Sequence, residues 1–178
     1  MEIVNINSEL MEKWNAYDKN GKLIDKILIR GENIPSGMYH LVCEVIVKHK
    51  DGTYLCMQRS YDKKGYPGYY EVSAGGAALI GEDKFTCIKR ELKEETGLIC
   101  DEFTQIGFMI EEDAKCLFYS FLCVVDCGKD SIILQEGETI NYKWINEKEL
   151  IDFINSNQMM DRQKRRYFAY FKKEGFIK

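Results

Sequence analysis

Short runs of alternating apolar and polar residues fill the first part of the chain, a pattern typical of half-buried β-strands. Two of these regions, 12–31 and 39–60, predict β-hairpins. Each is divided by a dipeptide that favours a tight turn, Asn-Gly in the first and Asp-Gly in the second. Residues 68–76 predict a short strand that leads into a glycine-rich loop.

The pattern changes to helical periodicity after this loop. Residues 82–96 predict a helix that Gly97 ends, because glycine readily adopts the left-handed conformation of a helix C-terminus. Within it, Phe85, Ile88 and Leu92 share one side, which we expect to face a sheet. The remaining predicted elements are two strands expected to pair, 103–113 and 115–127, a short strand at 139–145, and terminal helices at 146–157 and 159–173.

This order of elements predicts a mixed β-sheet with helices packed on it, which is an α+β protein or an α/β/α sandwich. A chain of 178 residues is long enough for one domain with a full core. Its 45% apolar and 30% charged residues are an ordinary globular composition. We therefore expect a single domain.

Charge and composition argue against several classes of function. The net charge of −4 gives no overall basic field for nucleic acid, and no apolar run approaches membrane-spanning length. The N-terminus lacks a signal pattern, so we expect a cytoplasmic protein. The seven cysteines include no Cys-x-x-Cys pair, and several lie in apolar runs. We therefore expect buried thiols rather than a structural metal site.

Three carboxylates in the predicted helix carry the strongest chemical signal. Glu91, Glu94 and Glu95 are spaced so that a helix places them on one face. Acids crowded in this way repel one another unless a cation lies between them, and oxygen ligands suit a hard ion such as Mg²⁺ or Mn²⁺. Taken alone, the same residues also fit a solvated helix surface with ordinary ion pairs.

The spacing around these acids favours the first interpretation. Residues 76–98 read GAALIGEDKFTCIKRELKEETGL: a glycine, five residues, a glutamate, seven residues, then Arg-Glu-apolar-x-Glu-Glu-x-Gly-apolar. This stretch resembles the Nudix hydrolase signature at every fixed position. The resemblance implies the Nudix fold, an α/β/α sandwich with a mixed sheet. It also implies a metal-dependent hydrolase that cleaves the diphosphate linkage of a nucleoside diphosphate joined to another moiety, or of a similar small diphosphate.

The resemblance further implies roles for single residues. The groups expected to hold the metal are Glu91, Glu94, Glu95, the backbone carbonyl of Gly75 and, as a more distant or second-metal ligand, Glu82. Arg90 is expected to orient the carboxylates rather than to touch the substrate. The general base stays open between Glu91 and Glu138, which precedes the predicted strand at 139–145.

Basic residues outside the signature suggest where a substrate binds. Arg59, Lys63 and Lys64 combine positive charge with neighbouring aromatic residues, and could hold a phosphate and stack a flat group. A solvated basic loop is the alternative. The basic run at 162–166 is expected to be a solvated helix face or a dimer edge. RNA binding is its other interpretation, although nucleic acid is not an expected partner.

A narrower resemblance raises a rival reaction. The segments 14–22, 37–47, 58–76 and 141–145 resemble the Nudix branch related to isopentenyl diphosphate isomerase. That isomerase uses a cysteine directly before its signature glycine and a metal-binding histidine directly after it, whereas this chain has Gly75 and Ala77 there. His40 does match an isomerase metal ligand, but a hydrogen-bonded strand histidine is the simpler interpretation.

Two further expectations concern the whole chain. A single Nudix domain is expected over residues 1–178, with 1–37 as an N-terminal hairpin extension and 146–178 as C-terminal helices. These two segments are where a homodimer contact or a selectivity lid would lie. A third function is a Nudix-fold protein that binds its ligand without cleaving it. The intact acid triad argues against this function, because such a protein has no need of all three carboxylates.

Overall fold

The computed structural model describes residues 11–177. Its first element is a separate antiparallel hairpin of β1 (Lys13–Tyr17) and β2 (Leu23–Ile29), which confirms the predicted hairpin. The hairpin is joined to the rest of the protein by reciprocal backbone hydrogen bonds between Tyr17 and Tyr39, at 2.8 and 2.9 Å. It therefore lies beside the start of the next strand.

The other seven strands form one mixed sheet. They are β3 (His40–His49), β4 (Tyr54–Arg59), β5 (Tyr70–Glu71), β6 (Ala74–Ala77), β7 (Thr104–Glu111), β8 (Cys116–Val125) and β9 (Thr139–Ile145). The order is β5-β4-β3-β8-β7, with β6 added to β3 and β9 added to β4. Among the strand pairs of residues 11–177, only β3–β8 is parallel. The predicted pairing of the strands at 103–113 and 115–127, which are β7 and β8, is confirmed.

The sheet forks along one edge of β3. Strand β4 pairs with β3 only at Lys48 and Tyr54, whereas β6 pairs with residues 42–45 of β3. The strands β4 and β5 therefore diverge from β6 as they leave the β3–β4 turn. This divergence opens a cleft, called the fork below, between the β3–β6 pair and the β4–β5 pair.

Helices cover both faces of the sheet. They are α1 (Lys84–Thr96) on one face, and α2 (Glu147–Asn155), α3 (Asp161–Arg166) and α4 (Phe168–Lys173) on the other. Alternate residues of β3 supply both cores: Val45 packs in the cluster that contains Leu92, and Ile46 in the cluster that contains Leu150. The α+β class and the α/β/α sandwich are thus confirmed.

Helix α1 begins two residues later than predicted. Asp83 caps it, because its Oδ1 accepts hydrogen bonds from the amides of Phe85 (3.1 Å) and Thr86 (2.7 Å). The helix ends as predicted, with Gly97 in the left-handed region (φ 74°) and its amide donating to the Lys93 carbonyl at 2.9 Å.

The prediction for the inward face of α1 is correct for two residues and wrong for one. Ile88 and Leu92 are fully buried, but Phe85 is 44% exposed. Phe85 lies in the first turn, where its ring is tilted against that of Phe121, 5.6 Å away between centroids, and the Lys84 ammonium lies 5.3 Å from its centroid. Cys87 fills the buried position instead.

Two other predicted elements differ in detail. The predicted strand and glycine loop at 68–76 are two short strands, β5 and β6, because the glycines pair with β3. The predicted helix at 159–173 is divided at Tyr167, whose ring is fully buried and lies 5.7 Å from that of Phe171.

All seven cysteines are free thiols, and five of them are buried, as expected. Across residues 11–177, the structure contains no helix that is both long enough and apolar enough to cross a membrane.

Candidate active site

The three signature carboxylates line one cavity of about 430 Å³ between α1, β6 and the hairpin. Its walls are Glu12, Trp14, Arg30, His40, Lys63, Gly75, Gly76, Ala77, Leu79, Arg90, Glu91, Glu94, Glu95, Gln135 and Glu138. We call it the carboxylate cavity. It brings together residues that lie more than 120 positions apart in the sequence.

Arg90 organises the acids of this cavity. Its Nε donates to Glu82 Oε1 at 2.7 Å and its Nη2 to Glu82 Oε2 at 2.9 Å, a two-point contact. Its Nη1 donates to Glu91 Oε1 at 2.7 Å and to Glu94 Oε2 at 3.0 Å. A further bond from Nη2 to the Ala77 carbonyl, 3.0 Å long, ties the guanidinium to β6.

Glu82 is saturated by these contacts. Besides both bonds from Arg90, its Oε2 accepts a bond from the Leu79 amide at 2.8 Å. Burial acts to raise the pKa of Glu82, but the hydrogen bonds from Arg90 and Leu79 outweigh it and hold the pKa below its usual value. Glu82 is therefore an ionised anchor for Arg90.

The glycines of β6 allow the acids to approach the backbone closely. A Cβ atom at Gly76 would lie 2.5 Å from Glu91 Oε1, and one at Gly75 would lie 2.1 Å from the Cys43 carbonyl oxygen. The Gly75 amide donates to Glu95 Oε2 at 3.0 Å. Any side chain at these positions would displace a carboxylate or the neighbouring strand.

The carboxylates are held in an unfavourable electrostatic environment. Burial raises the pKa of Glu95 well above its usual value, and repulsion from Glu71, Glu91 and Glu138 raises it further. Burial also raises the pKa of Glu91, although Arg90 opposes the shift. Such crowding favours either a shared proton or a bound cation.

The chemistry of the donors fits a hard divalent cation. Within residues 11–177, one oxygen each of Glu91, Glu94 and Glu95 has no hydrogen-bond partner, namely Oε2, Oε1 and Oε1. Over the same residues, no three acidic, histidine or cysteine side chains already converge as a metal site. The site therefore contains oxygen ligands of the type that a hard cation requires. Arg90 holds Glu91 and Glu94 through the carboxylate oxygen that is not free.

Glu138 and Lys63 face each other across the mouth of the carboxylate cavity. The Lys63 ammonium forms an ion pair with Glu138 Oε2, and the Glu138 carbonyl accepts a bond from the Ser60 amide at 2.8 Å. The loop after β4 is thereby tied to the segment before β9. Both candidate bases, Glu91 and Glu138, line this one cavity.

The three predicted substrate-binding residues lie in three different places. Lys63 lines the carboxylate cavity, and Arg59 lines the adjoining cavity in the fork, where it pairs with Glu71 at 2.9 Å. Lys64 is exposed and lines neither cavity. The structure therefore brings the predicted site residues to one of these two cavities, with two exceptions. Lys64 is one, and Glu82, which lies behind Arg90, is the other.

His40 is held by contacts that involve none of the carboxylates. Its ring stacks on Trp14 with centroids 4.0 Å apart, and its Nε2 lies 2.8 Å from Cys116 Sγ. Burial, with a smaller effect from Arg30, lowers the pKa of His40 to about 4. The imidazole is thus a neutral part of the cavity wall, in line with the interpretation of a hydrogen-bonded strand histidine.

Sequence reasoning missed several charged residues of the adjoining cavity. Glu44 is buried in the middle of the apolar run of β3, and Glu71, Arg162 and Arg166 also line that cavity. A lone carboxylate within an apolar strand was the signal that could have found Glu44. Nothing local marked the two arginines as inward-facing.

A cavity of about 510 Å³ lies beyond the C-terminus of α1. Its charged residues are Asp101, Glu102 and Asp126, with no basic side chain among them. This cavity has no basic side chain to neutralise a polyphosphate. The carboxylate cavity is therefore the better candidate for the active site, although it is smaller.

An α/β/α sandwich with arginine-bound carboxylates on the helix after a glycine strand defines a Nudix-type protein. The family model of the NUDIX domain matches residues 38–171, and the chain belongs to the Nudix family.

Similar proteins agree with this assignment. A Nudix hydrolase of Listeria innocua is 33% identical over 151 residues, which cover 84% of this chain and 89% of the relative. A Nudix hydrolase of Listeria monocytogenes matches with the same identity and coverage. Among solved structures, DR0079 from Deinococcus radiodurans has a TM-score of 0.69 at 17% identity, covering 89% of this chain and 99% of that one. This last likeness concerns the fold.

Family membership supports hydrolysis of a diphosphate linkage in a small molecule as the general activity. The narrower resemblance to the isomerase-related branch stays a prediction. So do the cytoplasmic location, the homodimer contact and the division of the chain at residues 37 and 146.

Proposed function

We propose that the protein is a divalent-metal-dependent pyrophosphohydrolase. Its substrate would be a nucleoside diphosphate linked to another moiety, or a similar small diphosphate. The observation that carries the proposal is the carboxylate cavity, in which three glutamates of one helix face each keep an oxygen free beside basic residues. Diphosphate hydrolysis requires both kinds of group, because the substrate is an anion that repels an attacking hydroxide.

The proposed metal ligands are Glu91, Glu94 and Glu95, with the backbone carbonyl of Gly75. When bound there, Mg²⁺ or Mn²⁺ supplies neutralisation of phosphate charge and acidification of a water molecule. Arg90 holds Glu91 and Glu94 from the opposite side, so their orientation is set before the ligand arrives. Glu82 acts through Arg90 as a positioning residue, because its own oxygens are occupied.

Lys63 and Arg59 are the proposed phosphate-binding residues. Each is half-buried and forms an ion pair with a glutamate that also lines a cavity. A phosphate oxygen can therefore accept a hydrogen bond from the basic group, either in place of that glutamate or together with it. Lys63 lines both cavities and stands between the acids and the fork. It would hold the diphosphate close to the carboxylates.

The general base is proposed to be Glu91 or Glu138. Glu91 is buried, and that burial raises its pKa toward the range in which a carboxylate accepts a proton efficiently. Glu138 is the more accessible group, and its pairing with Lys63 would be released when Lys63 turns to a phosphate. Glu91→Gln and Glu138→Gln would distinguish the two: the base variant loses kcat most strongly and loses the acidic limb of the pH profile.

A panel of diphosphates tests the proposal. Phosphate or nucleotide release would be measured with Mg²⁺, with Mn²⁺ and with chelator, for wild type, Glu94→Gln and Glu102→Gln. Glu102 is exposed and lies outside both site cavities, so its variant serves as the matched control. We expect activity in wild type and in the control, and a loss of about 100-fold or more in Glu94→Gln.

Two outcomes would contradict the hydrolase proposal. If wild type binds a diphosphate but cleaves none in a panel that includes dinucleotides, sugar nucleotides, capped RNA and prenyl diphosphates, the protein is a binding module. Isomerisation of isopentenyl diphosphate by the purified protein, abolished by chelation, would instead favour the isomerase.

A further inference from the structure

A second cavity of about 210 Å³ lies in the fork of the sheet. Its walls come from β3, β4, β5, β6, β8, the helix α3 and the segments that carry Lys63 and Glu138, and we call it the fork cavity. Lys63, Gly75, Glu95 and Glu138 line both the fork cavity and the carboxylate cavity. A ligand bound at the carboxylates can therefore extend past Lys63 into the fork.

Helix α3 contributes two arginines to this cavity. Arg162 and Arg166 are four residues apart, so the helix places both on its inward face, whereas Arg165 is exposed. The position of the helix is fixed by Gln163, which is 1% exposed and donates from Nε2 to Ser73 Oγ at 2.6 Å. The basic run that was expected to be a solvated surface is thus partly the wall of a cavity.

Four cations line the fork cavity, and three of them are neutralised by a carboxylate in the same wall. The pairs are Arg59 with Glu71 at 2.9 Å, Lys63 with Glu138, and Arg166 with Glu44 at 3.3 Å. The fourth carboxylate of the wall, Glu95, belongs to the acid triad of α1. The fourth cation is Arg162, which forms no ion pair within residues 11–177.

Within residues 11–177, Arg162 also has no oxygen or nitrogen atom as a hydrogen-bond acceptor. Its Nε is buried without a partner in the described part of the chain, and its Nη2 makes only a long contact of 4.0 Å with Met160 Sδ there. Its guanidinium lies over the Tyr66 ring, 4.9 Å from the centroid, which holds the group in place but satisfies no N–H. A guanidinium placed in this way favours an anion that accepts its hydrogen bonds.

We propose that the fork cavity binds a second anionic group of the substrate, a phosphate beyond the diphosphate that is cleaved, and that Arg162 selects for it. The inference rests on the proposed function for the identity of the bound molecule. The cavity volume of about 210 Å³ is large enough for a phosphate group, and most of the lining side chains are charged, which suits an anion. A phosphate offers several oxygens to donors on different sides, as Arg162, Lys63 and Arg59 require.

Binding of inorganic phosphate tests the site without any catalysis. Calorimetric titration would be done in chelator, with wild type, Arg162→Gln and the matched surface variant Arg165→Gln. We expect saturable binding in wild type and in Arg165→Gln, and at least about tenfold weaker binding in Arg162→Gln. Equal affinity in the two variants, or no saturable binding in wild type, would overturn the proposal. If Arg162→Gln does not fold, Arg162→Lys decides, since it keeps the charge and loses the guanidinium fork.

A pair of substrates tests the selectivity. The same nucleoside as diphosphate and as triphosphate would be compared, and wild type is expected to show at least about a tenfold lower KM for the triphosphate. Arg162→Gln should abolish this difference by raising KM for the triphosphate, with kcat and the diphosphate KM unchanged.

The two proposals fail separately. Phosphate binding that depends on Arg162, in a protein that hydrolyses nothing, would contradict the hydrolase and support the phosphate site. If wild type and Arg162→Gln both hydrolyse the diphosphate and the triphosphate with equal KM, the proposed selectivity of Arg162 is contradicted, but the hydrolase proposal is not.

Discussion

Arg90 and Glu82 are joined by two parallel hydrogen bonds of 2.7 and 2.9 Å, one from Nε and one from Nη2. This contact connects α1 to the loop that precedes it. Because Arg90 also holds Glu91 and Glu94, the geometry of the acid cluster depends on an arginine that is itself fixed by a fourth acid.

The first prediction concerns this arginine. Arg90→Lys keeps the charge but cannot form the two-point contact, so we expect a loss of about 2 kcal/mol in the free energy of unfolding, together with a fall in kcat. Urea denaturation would measure the loss, with Arg165→Lys as the surface control. A double-mutant cycle with Glu82→Gln should show coupling between the two residues. Strictly additive effects would contradict the structural relationship.

The second prediction separates the two glycines of β6. Gly76→Ala should lower kcat/KM by about 100-fold with the fold retained, because its Cβ would displace only the flexible end of Glu91. Gly75→Ala should cost about 3 kcal/mol of stability or more, because its Cβ meets the backbone of β3. Gly65→Ala, where the added Cβ meets nothing within 4 Å, is the control. Thermal unfolding and steady-state kinetics together would distinguish these outcomes.

The third prediction is a pH dependence of stability from His40. Its pKa is about 4 in the folded protein and about 6.5 when unfolded, so the unfolded state binds more protons between these values. Stability from this residue is complete above pH 6.5 and falls as the pH drops. The loss should reach about 2 kcal/mol at pH 5.

Glu44 gives the opposite trend. Burial, partly offset by Arg166, raises its pKa to about 7, so its contribution is present at low pH and is lost as the pH rises from about 4.5 to 7. The His40 effect is therefore the difference between wild type and His40→Gln, measured by urea denaturation in chelator from pH 5 to 7.5. Parallel pH profiles for the two proteins would refute the assignment.

The fourth prediction concerns the start of α1. Asp83→Ala removes both side-chain bonds to the first helical amides and should cost about 1 kcal/mol. Asp113→Ala, at an exposed turn residue with no side-chain hydrogen bond in the described chain, should change stability little. Equal denaturation midpoints for the two variants would show that the cap does not stabilise the helix.

Much of the fold was predictable because its signals are local. The two hairpins were marked by their turn dipeptides, and α1 by its periodicity and by Gly97. The acid triad was also predictable, since Glu91, Glu94 and Glu95 lie within five positions of one helix.

The fork cavity was not predictable, because it depends on distant contacts. Arg162 meets the sheet only because β4 diverges from β3 and Gln163 anchors α3 to Ser73. Phe85 illustrates the same limit on a smaller scale. Helical periodicity gives the side on which a residue lies, but it does not tell whether the sheet extends far enough to cover it.

The parallel pairing of β3 with β8 has a consequence for how the protein is made. His40 and Cys116, partners at the start of this ladder, are 76 residues apart in the chain. Contacts between such distant residues form slowly, and a chain emerging from the ribosome supplies its N-terminal part first. The nascent polypeptide therefore carries all three acids of α1 well before the strand that completes the centre of the sheet has been synthesised. Until residue 125 has emerged, β3 lacks its parallel partner, and an apolar strand with an unpaired edge is prone to aggregation.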